Sequence, residues 1–269
     1  MRTTIASPIK VRGIGLHCGS ECTVELRPAP PGSGRRLNGA PISLAQVSGT
    51  TLATTLMTPS GPVAVVEHLF AALHGIGIDD IDINAASVEI PILDGSADPW
   101  LQLIEPVVHA GLTAEPIRIR QPFTIGDQDA WVRAEPADEL RLTVEVDYPT
   151  LGPSGFDAVA QDWCDAAKAR TFGFLQDAER LKAQGLALGA CLENTLVFDG
   201  QTPLNRKGLR YQNEVARHKW LDLLGDLYLL GRPLIGHVTA FRAGHKLHHR
   251  FMAALTSSLE KNEDTGNSS

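Results

Sequence analysis

Scarcities are the first guide to this chain of 269 residues. Aromatic residues make up only 6% and charged residues 20%, against 43% hydrophobic. That balance excludes a disordered or low-complexity chain and fits one large globular domain or two medium ones. There is no surplus of positive charge: 24 Lys and Arg stand against 31 Asp and Glu, a net charge of −7. A nucleic-acid binder is therefore excluded, because neutralising phosphates takes clustered cations; one anionic metabolite can still be held by a few local ones. No apolar run reaches the roughly 18 residues of a membrane span, and the opening MRTTIASPIKVRG lacks the apolar core of a secretion signal. Cysteine is scarce too. Of Cys18, Cys22, Cys164 and Cys191, only the first two lie close, so a four-thiolate metal site has no second pair. Reduced thiols in the cytoplasm are expected.

What is present reads as two runs of strands with helices set among them. Up to about residue 113, ECTVELRPA alternates polar and apolar residues, as does IDDIDINAA. VEHLFAALHGIG reads as a helix stopped by Gly75 and Gly77, and SADPWLQLIEPVVHAGL as a second helix ending at Gly111. From Pro116, strands restart with PIRIRQPFTI, AWVRAEP and ELRLTVEVDYP. A loop, LGPSG, and a helix, FDAVAQDWCDAAKART, follow. The amphipathic helix QNEVARHKWLDLLGDLYLLG puts Val215, Trp220, Leu221, Leu224, Leu227 and Tyr228 on its apolar face and His218, Asp222 and Asp226 on another stripe. A strand, LIGHVTAFRAG, and a helix, HKLHHRFMAAL, precede a polar tail expected to fray from residue 257. Strands joined mostly by hairpins predict an α+β fold rather than a doubly wound parallel sheet.

Three places carry chemistry. His218 and Asp222 are four apart on a helix, so an imidazole and a carboxylate share one face and can share one metal ion. Asp226, one turn on, can orient a ring nitrogen. Glu67 and His68 open the earlier helix about 100° apart, so His68 can face a metal while Glu67 stands beside it as a base for water. His245 follows Gly244 at a strand end, where a sharp turn can aim the ring into a cleft. Protonated, it can steady an oxyanion and protonate a leaving amine. Each feature has a plainer explanation when taken alone: a solvent-facing His/Asp pair, a first-turn acid favoured by the helix dipole, a core histidine. His248 and His249 read as exposed and are assigned no role. His17 reads as packed or hydrogen-bonded locally. Two His and one Asp make a three-ligand set with an open position, which suits catalysis better than structure, but spacing alone cannot show that they converge.

The stretches GIGLHCG, VEHLFAALHGIGIDDIDI, VEIPILDGSADPW, ARTFGF, LRYQNEVARHKWLDLLGDLYLLG and IGHVTAFRAGH occur in order over nearly the whole chain. In them the chain resembles the UDP-3-O-acyl-N-acetylglucosamine deacetylases of lipid A biosynthesis. The resemblance implies two similar domains, 1–113 and 114–256, each a mostly antiparallel sheet, with helices meeting between the sheets. It implies Zn2+, or Fe2+ in the cell, held by His68, His218 and Asp222. Glu67 is then the general base, His245 the histidine of the closing motif and Asp226 its partner. Lys219 contacts substrate or oxyanion, and Thr171 hydrogen-bonds the tetrahedral intermediate. An insert over about 172–200 corresponds to an apolar passage for the fatty acyl chain, lined by Phe172, Phe174, Leu186 and Leu188; the alternative is that these side chains pack the insert's own core. Asp147 and Tyr148 fall near the uracil and Arg242 near the diphosphate. The implied ligand is a UDP-sugar carrying a fatty acyl chain, and the implied protein a cytoplasmic monomer.

Two departures bear on substrate. The segment between VELRPAP and VVEHL is short, with its arginine-led strand hard to find, and LGPSGFDAVAQD is compressed, lacking a glutamine-bearing strand. They leave open a relative acting on another N-acylated sugar, and beyond that a non-catalytic nucleotide-sugar binder.

Overall fold

The computed structural model describes residues 1–266. Among these residues, six α-helices lie among the strands: α1 (Glu67–Ile76), α2 (Asp98–Leu103), α3 (Cys164–Ala167), α4 (Ala178–Ala183), α5 (Glu214–Leu227) and α6 (His245–Gly266). The architecture is α+β, as expected.

Two principal sheets are built to one plan. In the first, the hairpin Ile9–Ile14 and Glu21–Pro28 pairs with the later strand Ile81–Ala85, which then pairs parallel with Arg35–Leu37 and its partner Ala40–Pro41. In the second, the hairpin Phe123–Gly126 and Trp131–Glu135 pairs with Leu234–Phe241, which pairs parallel with Leu140–Tyr148 and its partner Gly152–Val159. In both, a helix immediately precedes the late central strand in the element order or one short element earlier: α1 in the first half, α5 in the second. A duplication that residue identity does not reveal is therefore plain in strand order and direction.

Alternation sets which face is buried. Val24, Leu26, Ile81 and Ile83 point inward from the first sheet, and Leu142, Val144, Val238 and Ala240 from the second; period-two patterning against a core requires this. Between the sheets α1 and α5 cross closely. A Cβ on Gly225 would stand 2.1 Å from the carbonyl oxygen of Glu67, so only glycine permits this approach. Helix α5 is buried on every side, with only Arg217 and Lys219 less than buried. The amphipathic reading of this helix fails because it is sandwiched between two layers. Hydrogen bonds tie the halves together: Tyr228 OH donates to the Ile78 carbonyl at 2.9 Å and Arg35 Nη1 to the Tyr228 carbonyl at 3.0 Å.

Several local expectations are corrected. The helix expected to reach Gly111 ends at Leu103, and Pro106–His109 pairs antiparallel with Arg2–Ile5. Pro106 cannot continue a helix, and Val107 and Val108 favour extended backbone. The loop and helix expected over 151–171 contain instead the edge strand Gly152–Val159, with α-helix only at Cys164–Ala167. An edge tolerates the Pro and Gly that obscure it. The arginine-led strand is present, at Arg35–Leu37. The final helix overruns the tail expected from 257 as far as Gly266, and residues 267–269 lie outside the described part. No helix is long and apolar enough to cross a membrane among the described residues.

Candidate active site

The crossing of α1 and α5 decides where the polar groups fall. Glu67 and His68 occupy the first turn of α1, while His218, Asp222 and Asp226 recur along α5. All are buried, an expensive placement unless they are paired or bind something. His68 and His218 meet edge to face with ring centroids 4.9 Å apart, and their Nε2 atoms lie 3.7 and 3.4 Å from Asp222 Oδ1. One ligand atom from each of the three residues falls within 4.8 Å of the others.

Two observations show that this triad fits a cation. Asp222 Oδ1 is buried with no hydrogen-bond donor, although Asp222 Oδ2 accepts from Lys219 Nζ at 2.7 Å. His218 Nδ1 donates to the Ala169 carbonyl at 3.2 Å, which leaves its Nε2 lone pair facing the carboxylate, as a ligand imidazole requires. Burial pushes the His218 pKa down to about 4, so the ring is neutral. Burial opposes ionisation of Asp222, but its polar neighbours, the Lys219 ammonium among them, outweigh it and hold the carboxyl well below its usual range.

Beside the triad stand a second carboxylate and a third imidazole. Glu67 Oε2 accepts the Thr54 backbone N–H at 3.2 Å, and burial raises the Glu67 pKa. His245 Nε2 lies 3.9 Å from Glu67 Oε1 and 4.0 Å from Asp222 Oδ2, while its Nδ1 donates to Asp226 Oδ2 at 2.7 Å. Burial disfavours its cation, yet Asp226 and Glu67 together raise its pKa to about 9. A carboxylate lifted toward neutrality thus faces an imidazolium.

These groups open onto one cleft of about 890 Å³. Glu67, His68, Tyr148, Thr171, Phe172, His218, Lys219, Asp222, Arg242 and His245 all line it; Asp226 stands behind His245. Thr171 is pinned through backbone bonds, its N–H donating to the Gly95 carbonyl and its carbonyl accepting from Leu196 N–H. Gly95, at φ 85°, could not carry a Cβ there because Asn194 O would be 1.9 Å away. Phe172 reaches the His218 ring at 5.9 Å and Tyr148 at 5.4 Å. A small sheet of Phe172–Phe174, Leu196–Asp199 and Thr202–Pro203 forms the insert. Its lining side chains include Phe174, Leu175, Leu181, Val197 and Leu204. Leu186 and Leu188 are not among the lining residues; Leu188 is 51% exposed and sits against Gly19. His17 is not bonded locally: its Nδ1 accepts the Ala187 N–H, 170 positions away, and it too lines the cleft.

Three functional candidates escaped the sequence reading. His248 and His249 are buried rather than exposed, and Thr54 is wholly enclosed. His245, His248, His249 and Met252 fall at i, i+3, i+4 and i+7, the stripe of one helix face, so the buried side of α6 was visible in principle. Thr54 lies in a loop and carries no motif.

A family model for UDP-3-O-acyl N-acetylglycosamine deacetylases matches residues 2–257. The UDP-3-O-acyl-N-acetylglucosamine deacetylase of Histophilus somni is 40% identical, over 96% of this chain and 90% of the relative. That of Myxococcus xanthus is 40% identical over 94% and 86%. That of Haemophilus influenzae is 39% identical over 96% and 90%.

Proposed function

Since the chain belongs to the UDP-3-O-acyl N-acetylglycosamine deacetylase family, we propose that it hydrolyses the acetamide of UDP-3-O-acyl-N-acetylglucosamine to acetate and the free sugar amine, in the cytoplasm, for lipid A biosynthesis. The observation that carries this reading is the meeting of His68, His218 and Asp222 around an unpartnered carboxylate oxygen, with Glu67 and His245 on its cleft side. Those three would hold zinc, or iron(II), both compatible with imidazole and carboxylate donors. A divalent cation there supplies Lewis-acid polarisation of the amide carbonyl and acidifies water.

The remaining work falls to the chain's own groups. Glu67, raised by burial and held through Oε2, takes a proton from the attacking water. His245 presents its Nε2–H to the oxygen that gains charge, and Thr171 and Lys219 face the same space. Losing one such contact typically slows turnover about 100- to 1000-fold. As the C–N bond breaks, a proton held on Glu67 or His245 passes to the departing amine. Phe172, with the apolar lining of the insert, takes the acyl chain. Tyr148 and Arg242 serve the nucleotide side, where the guanidinium of Arg242 suits a diphosphate. We assign the two sheet units as domains, 1–113 and 114–256, on their shared strand order.

The test pairs two variants. His218→Ala is expected to lose bound metal and activity together, whereas Glu67→Gln keeps the metal and loses at least about 100-fold in kcat. Near-normal turnover in Glu67→Gln rules out the assigned base, and full metal content in His218→Ala rules out the assigned ligand set.

A further inference from the structure

Behind the cleft, Asp226 is the meeting point of more groups than one catalytic pair needs. Its Oδ2 accepts from His245 Nδ1 at 2.7 Å and also from His248 Nδ1 at 2.7 Å. Its Oδ1 accepts from the Thr54 hydroxyl at 2.6 Å. Because that hydroxyl spends its only proton on Asp226, it must accept from His249 Nε2, 3.0 Å away. Asp226, Thr54 and His248 are all essentially without solvent contact, so water cannot substitute for a missing donor.

We propose that His248 and Thr54 are positioning residues that pin the Asp226 carboxylate from its two oxygens and so aim His245 into the cleft. The proposal rests on the role given to His245 above. A carboxylate turns about its Cβ–Cγ bond through a broad, soft torsion. Held by His245 alone, Asp226 would turn and carry the ring with it. With Thr54 on Oδ1 and His248 on Oδ2, the carboxylate plane is fixed at two points, leaving the other lone pair of Oδ2 for His245. This sets His245 Nε2 where it is found, 3.9 Å from Glu67 Oε1. Thr54 does a second job: its backbone N–H holds Glu67 Oε2 at 3.2 Å. One residue from the first half of the chain thereby keeps base and acid in register with each other. A misplacement of about 1 Å in a reacting group can cost roughly 100-fold in rate.

The test measures kcat, KM and bound metal in His248→Ala, His248→Asn, Thr54→Val and Thr54→Ser, beside His245→Ala. An asparagine amide branches from Cγ as His Nδ1 does, so His248→Asn returns the donor; Thr54→Ser returns the hydroxyl. His248→Ala and Thr54→Val are expected to lose about 10- to 100-fold in kcat, with KM within about twofold and metal content unchanged. The Asn and Ser variants should recover most of that loss. Should His248→Ala prove too unstable to assay, the Thr54 pair carries the same comparison with little change in volume. The inference is overturned if the Ala and Val variants turn over at wild-type rates, or if Asn and Ser fail to restore what they lost. Full activity in His245→Ala would instead sink the role assigned to His245 itself; an inactive His245→Ala beside unimpaired His248→Ala and Thr54→Val sinks only the inference.

Discussion

Replacing Gly225 with alanine tests whether the site depends on how closely α1 and α5 approach. The added Cβ would meet Glu67 O at 2.1 Å, Glu67 C at 2.9 Å and Ala71 N at 3.2 Å. These are backbone atoms within a helix, so no side chain can rotate out of the way. A carbon–oxygen contact settles near 3.3 Å, so the helices must separate by about 1 Å. Intrinsic helix propensity runs the other way, favouring alanine by about 1 kcal/mol; a net loss of stability therefore isolates the clash. Overpacking of this kind costs about 1–3 kcal/mol. The functional effect should be larger than the loss of stability implies. Of the three proposed ligands, His68 rides on α1 and His218 and Asp222 on α5, while metal–ligand distances tolerate only about 0.2 Å. Metal content by elemental analysis, kcat and thermal unfolding should be followed on one preparation. We expect Gly225→Ala to remain folded, to bind metal weakly and to lose at least about 100-fold in turnover. Stoichiometric metal with near wild-type kcat would show that the site does not depend on this crossing.

Other outcomes follow from the same geometry. With the roles proposed for Glu67 and His245, activity needs the first ionised and the second protonated, so it should rise as Glu67 loses its proton and fall as pH passes about 9, where His245 loses its own. In Asp226→Asn burial acts on His245 with less opposition and lowers its pKa, so the basic limb of the kcat/KM profile should move to lower pH; a limb fixed near pH 9 contradicts the pairing. Arg170→Met removes the cation from Glu214, whose buried carboxylate accepts Arg170 Nε at 2.8 Å and Nη2 at 3.1 Å and would keep only the backbone N–H groups of residues 170 and 210. That should cost about 3–5 kcal/mol in denaturant unfolding, and a loss under about 1 kcal/mol would refute it. Phe172→Ala should raise KM more for a substrate with a long acyl chain than for a short-chain analogue; equal increases would mean that Phe172 does not meet the chain.

The parts of this molecule that the sequence discloses are those governed by local rules. Helix α1 is legible because Leu69, Ala72, Leu73 and Ile76 repeat at helical spacing and Gly77 ends it in a left-handed turn at φ 83°. The triad of His68, His218 and Asp222 was legible residue by residue, yet its convergence is a tertiary fact, set by Gly225 and by the two sheets. Gly152–Val159 was misread because Pro153, Gly152 and Gly155 are turn residues by composition and strand residues only by virtue of their place at a sheet edge. His248 and His249 were misread because a polar pair near a helix start usually faces water. Their place on one helical stripe with Met252 favours burial, and Asp226 lying opposite them supplies the partner that burial requires.

The doubled sheet plan also has a bearing on how the chain is made. Each half's central strand is the last of its sheet to appear, and α1 finds its cover only when α5 arrives; His74 on α1 bonds the Leu224 carbonyl on α5, 150 positions later. At ribosomal rates of about 5–20 residues per second, the interval is roughly 8–30 s. Throughout it, Phe70 and the crossing face of α1 lack their covering helix, so the first half cannot close its own core before the second is made.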